Sequence, residues 1–216
     1  MDPAINKKIA EQKARIERDA KAARDRKDLD DEMTDKRLLK ILQTRRDLLH
    51  AKKITEEVLK ELHRIACNYS RGSGEYRIVD TIRAGELYGP NAADARKQMK
   101  KLMSQLEERL ADKSKAIVRT AIYAHLEILR IHIFDDSNGK TSRLFLNLIL
   151  LQNGFEPIVI DRTKRHEYEK NLSNATIVSG ERQTAGIDTP DPEPLYTMLE
   201  NIIQSGGAGT SKLTID

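Results

Sequence analysis

Ten consecutive residues, Arg143 to Gln152 (RLFLNLILLQ), are apolar on nearly every face, and a helix of that composition has to be covered on all sides. The spacing therefore predicts a buried central helix, stopped by Asn153-Gly154. Upstream, Ile117, Val118, Ala121, Ile122, Leu126, Leu129 and Ile133 recur at the three-and-four spacing of one helix face, which predicts a second helix ending near His132. The twelve residues from His132 to Arg143, HIFDDSNGKTSR, then form a loop that turns into a helix start and is held between two rigid elements.

The composition of that loop points to chemistry. Asp135, Asp136, Ser137, Asn138 and Gly139 are turn and N-cap formers, and Gly139 admits a close backbone approach. A helix starting here aims free N–H groups and the positive end of its dipole back into the loop, an arrangement that attracts phosphate oxygens. Lys140 and Arg143 add positive charge at an end where cations oppose the dipole, so an anion is the natural complement. The acidic pair Asp135 and Asp136 suits magnesium, which takes one or two carboxylates plus substrate phosphates. His132 stands at the rim as a candidate general base, although an isolated histidine at a helix end more often just neutralises the dipole. Taken together, these residues describe a Mg-nucleotide phosphoryl or nucleotidyl transfer site.

The stretch resembles the signature of the Fic/Doc family, H-x-F-x-[DE]-[AG]-N-[GK]-R-x-x-R, with His132, Phe134, Asp136, Asn138, Gly139 and Arg143 in place. Ser137 stands where Gly or Ala is usual, and Lys140 replaces the first Arg, keeping the charge but losing the planar fork. The likeness extends from about Lys53 to Gln204. ITEEVLKELHRIA is similar to the family's opening helix, and GEYR followed by IVDTIRAGELYGP is similar to its Gly-x-Tyr-Arg segment and flap. RHEYEKNL and EPLYTMLENII resemble the closing helices.

The resemblance implies an all-α, Fic-like domain over residues 53–204 with a short β-hairpin flap, preceded by a charged helical extension (1–50) and followed by a flexible tail (205–216). It implies a protein adenylyltransferase that moves AMP from ATP to a Tyr, Thr or Ser hydroxyl. His132 would be the base and Asp136 the magnesium ligand. Asn138, Gly139, Lys140 and Arg143 would bind the phosphates, and Tyr168 would touch the adenine. The flap residues Val79, Asp80, Thr81 and Ile82 would align the target by strand addition. Two alternatives remain open: kinase-like or other phosphate-group transfer at the same site, as in the Doc branch, and an inactive helical interaction module with a degraded nucleotide site. Many members carry an inhibitory helix, [ST]-x-x-x-E-[GN], whose Glu pairs with the second motif Arg. Glu200-Asn201 has the right ending, but Tyr196 stands in the Ser/Thr place. Inhibition by a separate antitoxin-like protein or by self-association therefore remains open, as does a role as a toxin or an effector.

The remainder of the chain sets bounds. Net charge is +4 over 216 residues with pI about 9.0, both signs are interleaved, and tryptophan is absent, so there is little for stacking bases and the composition argues against nucleic acid. The single cysteine, Cys67, excludes an internal disulfide, fits a reducing compartment, and is expected to pack inside its helix. No apolar stretch approaches a membrane span and no signal-peptide pattern is present, so the chain reads as cytoplasmic, with export into a host cell by a signal-less route left open. Met1 to about Asp31 reads as a solvated helical arm with a thin apolar stripe, and Thr34-Asp35 as the start of a separate helix that packs Leu38, Leu39, Ile41, Leu42, Leu48 and Leu49 on the domain. Thr55 and Asn91 open further helices, His63 reads as structural, and Ser179 to Pro194 reads as a loop before a last helix near Leu195 to Gln204.

Overall fold

The computed structural model describes residues 3–80, 82–83, 86–87, 89–112, 116–176 and 191–206. Among them the fold is helical: α1 (Pro3–Thr44), α2 (Arg46–Leu49), α3 (Glu56–Ala66), α4 (Ala92–Ala111), α5 (Ile117–Ile131), α6 (Asn138–Gln152), α7 (Arg162–Thr176) and α8 (Glu193–Gln204). Two two-residue strands, β1 (Ile82–Arg83) and β2 (Glu86–Leu87), pair antiparallel with Ile82 opposite Leu87. Thr81, most of the expected loop over 179–194 and the tail beyond Gly206 lie outside the described residues. No described helix is long and apolar enough to cross a membrane.

The all-round apolar sequence becomes the centre of the molecule. From Leu144 to Leu150 every residue of α6 is buried, with α5 as its main partner and α3 and α1 packed on other sides. On the far side of α5 lie α4 and α8, while α7 bridges α8 and α1. Asn147, the one polar residue in that run, bonds both the N–H and the carbonyl of Ile158 at 2.8 Å, so the extended segment 157–160 is attached to α6 as a strand would be. Helix starts follow their capping residues. Thr55 accepts from the Val58 N–H and Asn91 from the Asp94 N–H.

Two readings need correction. The predicted helix start at Thr34-Asp35 does not exist, because α1 runs unbroken through it. No Gly or Pro interrupts residues 4–44, so nothing stops a run of good helix formers, and capping residue types inside it do not act as caps. The first half matches an arm, with residues 13–27 all exposed, but from Asp28 onward α1 belongs to the body, and Leu38, Leu39 and Leu42 are core residues. Cys67 lies one residue beyond α3, as its C-cap, and is only half-buried.

Two histidines are built into the interior, His63 on α3 and His125 on α5, at 4% and 1% exposure. Burial, the leading cause in both, holds their pKa values below the ordinary range, and that of His125 falls to about 3.

Removing residues 1–24 is expected to leave the urea midpoint unchanged, whereas Leu42→Ala should cost about 3 kcal/mol, since it empties a fully buried site. Equal effects in urea titrations would contradict this division of α1. The histidines give a pH dependence with a definite sign. Unfolded, each takes up a proton near pH 6.5, and folded, each resists it, so stability is complete above that pH and declines below it, by up to about 1 kcal/mol per pH unit per histidine. Between pH 6.5 and 5 the midpoint should fall, and a flat profile over that window would refute the neutral, buried assignment.

Candidate active site

The candidate site is the turn joining α5 to α6. Helix α5 ends at His132, which adopts a left-handed conformation (φ 50°), and the chain turns again at Ser137 (φ 55°) before α6 begins. Non-glycine residues with positive φ are uncommon, and two of them five residues apart make this a sharply set double turn.

Three contacts hold it. Asn138 is buried, and its amide bonds the main chain of Phe134 from both ends: Oδ1 accepts from the Phe134 N–H at 3.1 Å, and Nδ2 donates to the Phe134 carbonyl at 2.8 Å. Phe134, fully buried, stacks face to face on His63 with centroids 3.8 Å apart and planes 1° from parallel. His63 accepts the Gly74 N–H on Nδ1 at 2.8 Å, so the proton of the neutral ring lies on Nε2, which donates to the Asp136 carbonyl at 3.2 Å and also lies 3.3 Å from Cys67 Sγ. The sequence marks His63 only as structural, and its grip on the Asp136 carbonyl, 73 residues away, has no local signature.

With the turn fixed, α6 opens without a side-chain cap from Ser137, whose own N–H bonds Asp136 Oδ1 at 2.6 Å. The first amides of a 15-residue helix thus point back into the turn, an arrangement that suits an anion. Asp135 and Asp136 are exposed, and Gly139 and Lys140 half-buried. A Cβ on Gly139 would lie 3.4 Å from Arg143 Nη1, which places that guanidinium against the helix start.

Arg143 has a protein partner. Nη2 donates to Asp35 Oδ1 of α1 at 2.9 Å, while Arg165 of α7 donates to the other carboxylate oxygen at 3.3 Å. Burial works to lower the pKa of Arg143, but the nearby Asp35 charge and the hydrogen bonds that Arg143 donates to Asp35 and Tyr168 outweigh it and raise the pKa. The Nε atoms of Arg143 and Arg165 are buried without a hydrogen-bond partner. Glu200 lies instead 3.5 Å from Arg119. The sequence marks Asp35 only as part of a helix start and does not mark Arg165, and the Asp35 contacts to Arg143 and Arg165 span more than a hundred positions of the chain.

The structure thus brings His132, Asp136, Gly139, Lys140 and Arg143 to one turn. The side chain of Asn138 is engaged by Phe134, which leaves its main chain at the helix start. Tyr168 is 2% exposed, with its hydroxyl 2.9 Å from His125 Nε2, and lines a small interior cavity with His125, Arg143, Asn147 and Leu199. Val79 is exposed, Asp80 Oδ1 accepts the Ala92 N–H at 2.7 Å, and Ile82 lies in β1. Among the described residues no cluster of three or more metal-ligating side chains occurs. A magnesium ion held through one carboxylate and substrate phosphates requires none, and exposed Asp136 suits that mode.

Residues 53–150 match the family model described as Fic/DOC family. The protein adenylyltransferase Fic of Culex quinquefasciatus is 35% identical over 127 residues, covering 56% of this chain and 24% of that protein. Protein adenylyltransferase fic-1 of Caenorhabditis elegans is 36% identical over 80 residues, 37% of this chain and 16% of that one. The chain therefore spans about a quarter or less of the length of these relatives. Among solved structures, a Fic domain containing signaling protein from Bacteroides thetaiotaomicron superposes with a TM-score of 0.63 at 23% identity, over 81% of this chain and 69% of that one. A segment of Fic-1 from C. elegans gives 0.55 at 24% identity, over 80% and 48%. At these identities the two structures speak to the fold. Over residues 53–150, which include the turn between α5 and α6, the chain is thus similar to the Fic/DOC family.

Proposed function

We propose that this protein is a protein adenylyltransferase, moving AMP from ATP to a hydroxyl on a target protein, with residues 53–204 as the catalytic unit. The observation that carries this reading is the fixed double turn that sets His132 beside the uncapped start of α6, with Lys140 and Arg143 on its first two turns. Relatives named as protein adenylyltransferases support the same reaction.

In this reading His132 takes the proton of a Tyr, Thr or Ser hydroxyl as its oxygen bonds to the α-phosphorus of ATP. The bond from that phosphorus to the bridging oxygen breaks, and pyrophosphate leaves. The amides at the start of α6, with Gly139 allowing close approach, stabilise charge on the phosphate oxygens. Lys140 and Arg143 hold the outer phosphates. Asp136 would hold magnesium, which supplies charge neutralisation between the phosphates when bound. Val79 to Ile82 serve as the target-docking flap, where main-chain pairing tolerates many sequences. Tyr168, 2% exposed with its hydroxyl on His125, braces Arg143 at the outer phosphates from within the core rather than touching the adenine.

Asp35 adds a condition. Its carboxylate lies on Arg143 where an outer phosphate would bind, so α1 and the nucleotide compete for one guanidinium. The chain thus carries a restraint of its own on Arg143.

Mass spectrometry after incubation with ATP and magnesium, alone and with cell lysate, should show an AMP mass gained by this chain or by a lysate protein, absent with His132→Ala. A phosphate mass would replace this reading with kinase-like transfer, and no adduct despite ATP binding would replace it with a disabled site. Asp35→Asn should lower the unfolding free energy by about 3 kcal/mol, because buried Arg165 and half-buried Arg143 lose their shared carboxylate. It should also tighten MgATP binding in calorimetry. Unchanged ATP affinity would make Asp35 a structural tie alone.

A further inference from the structure

Arg77 is 1% exposed, and among the described residues it has no carboxylate in hydrogen-bond reach, with Asp80 at 3.9 Å. A buried guanidinium is costly unless its donors are satisfied, and here all three nitrogens donate to main-chain carbonyls. Nε donates to His132 at 2.7 Å, Nη1 to Val79 at 3.0 Å, and Nη2 to Pro90. Its own N–H donates to the Ile133 carbonyl at 3.0 Å, and Arg96 donates to its carbonyl at 3.1 Å. One planar fork therefore ties both ends of the segment carrying β1 and β2 to the carbonyl of His132, the first residue of the double turn.

A second contact places the same segment. Gly89 has φ +81°, and a Cβ there would lie 3.3 Å from the Arg130 carbonyl and 3.6 Å from His132 Cβ. The far end of the segment thus passes against the residue proposed as base, at a position suited to glycine.

We infer that Arg77 is a positioning residue that sets the register between the β1–β2 segment and the His132 turn, so that a target main chain aligned on that segment presents its hydroxyl to the ring. This rests on the adenylyl-transfer reading. Arg77 touches neither nucleotide nor target. Its work is geometric: without the fork the two elements slide relative to each other, and misplacement by about 1 Å costs on the order of 100-fold in rate. Lysine retains the charge but cannot reach three divergent carbonyls at once.

The test compares the full chain with Arg77→Lys and Arg77→Gln, the second removing the buried charge along with its bonds so that a folded variant is obtained if lysine is not tolerated. Ring resonances of His132 and amide resonances of Val79 and Gly89 are followed by NMR, MgATP affinity by calorimetry, and AMP transfer to the acceptor identified by mass spectrometry. Expected are shifted resonances at those three residues, unchanged MgATP affinity, an unchanged KM for ATP, and transfer slowed on the order of 100-fold. Wild-type resonances together with a wild-type rate would overturn the inference, and so would ATP affinity falling in step with transfer, which marks a general loss of structure. Should the wild-type chain transfer no AMP, the reaction assignment fails while the resonances still decide whether Arg77 sets the register.

Discussion

The site depends on one side-chain amide. Asn138 closes a ring with the Phe134 main chain, and from that ring follow the left-handed Ser137, the start of α6 at that point in the chain, and the direction of its first amides. An amide can do this where a carboxylate cannot, because it donates from one end and accepts at the other, matching a peptide unit in both directions. Burial strengthens the pair, since neither partner has water as an alternative. The Phe134 ring then continues the same restraint into α3 through its stack on His63.

Much of this was legible in the sequence, for a physical reason. The buried α6, the end of α5 at His132 and the starts at Thr55 and Asn91 are fixed by periodicity and local capping, which act over a few residues. What could not be read was long in range or written in the backbone. Asp35 has the composition of a helix start, and only its partners Arg143 and Arg165 show its place. Arg77 stands out as part of a Gly-x-Tyr-Arg segment, yet its partners are carbonyls, which every residue possesses. The Asn138 side chain fits a phosphate ligand and a loop clip equally well in sequence, and the bonds to Phe134 distinguish them.

The charges around α6 follow a similar economy. Arg165, buried, and Arg143, half-buried, converge on one carboxylate, each with its Nε buried and unmatched by a hydrogen bond, so the cluster is short of acceptors even with Asp35 in place. Such a cluster favours any further anion, and the uncapped helix start beside it has the same preference. Glu32 makes the complementary arrangement at the start of α7, accepting the Arg162 N–H at 2.9 Å, with Lys36 beside it. The acidic face of α1 thus meets helix starts and arginines along its contact with the body.

Because α1 is a single helix, its exposed first half and the carboxylate on Arg143 are parts of one rigid rod. From Pro3 to Asp35 the rod measures roughly 48 Å, at about 1.5 Å per residue, with no glycine or proline beyond its first residue to act as a joint. A rod pivoting on a packed end works as a lever. A load applied at its far end, by docking to a surface or by tension along the chain, is multiplied at the ion pair rather than absorbed on the way.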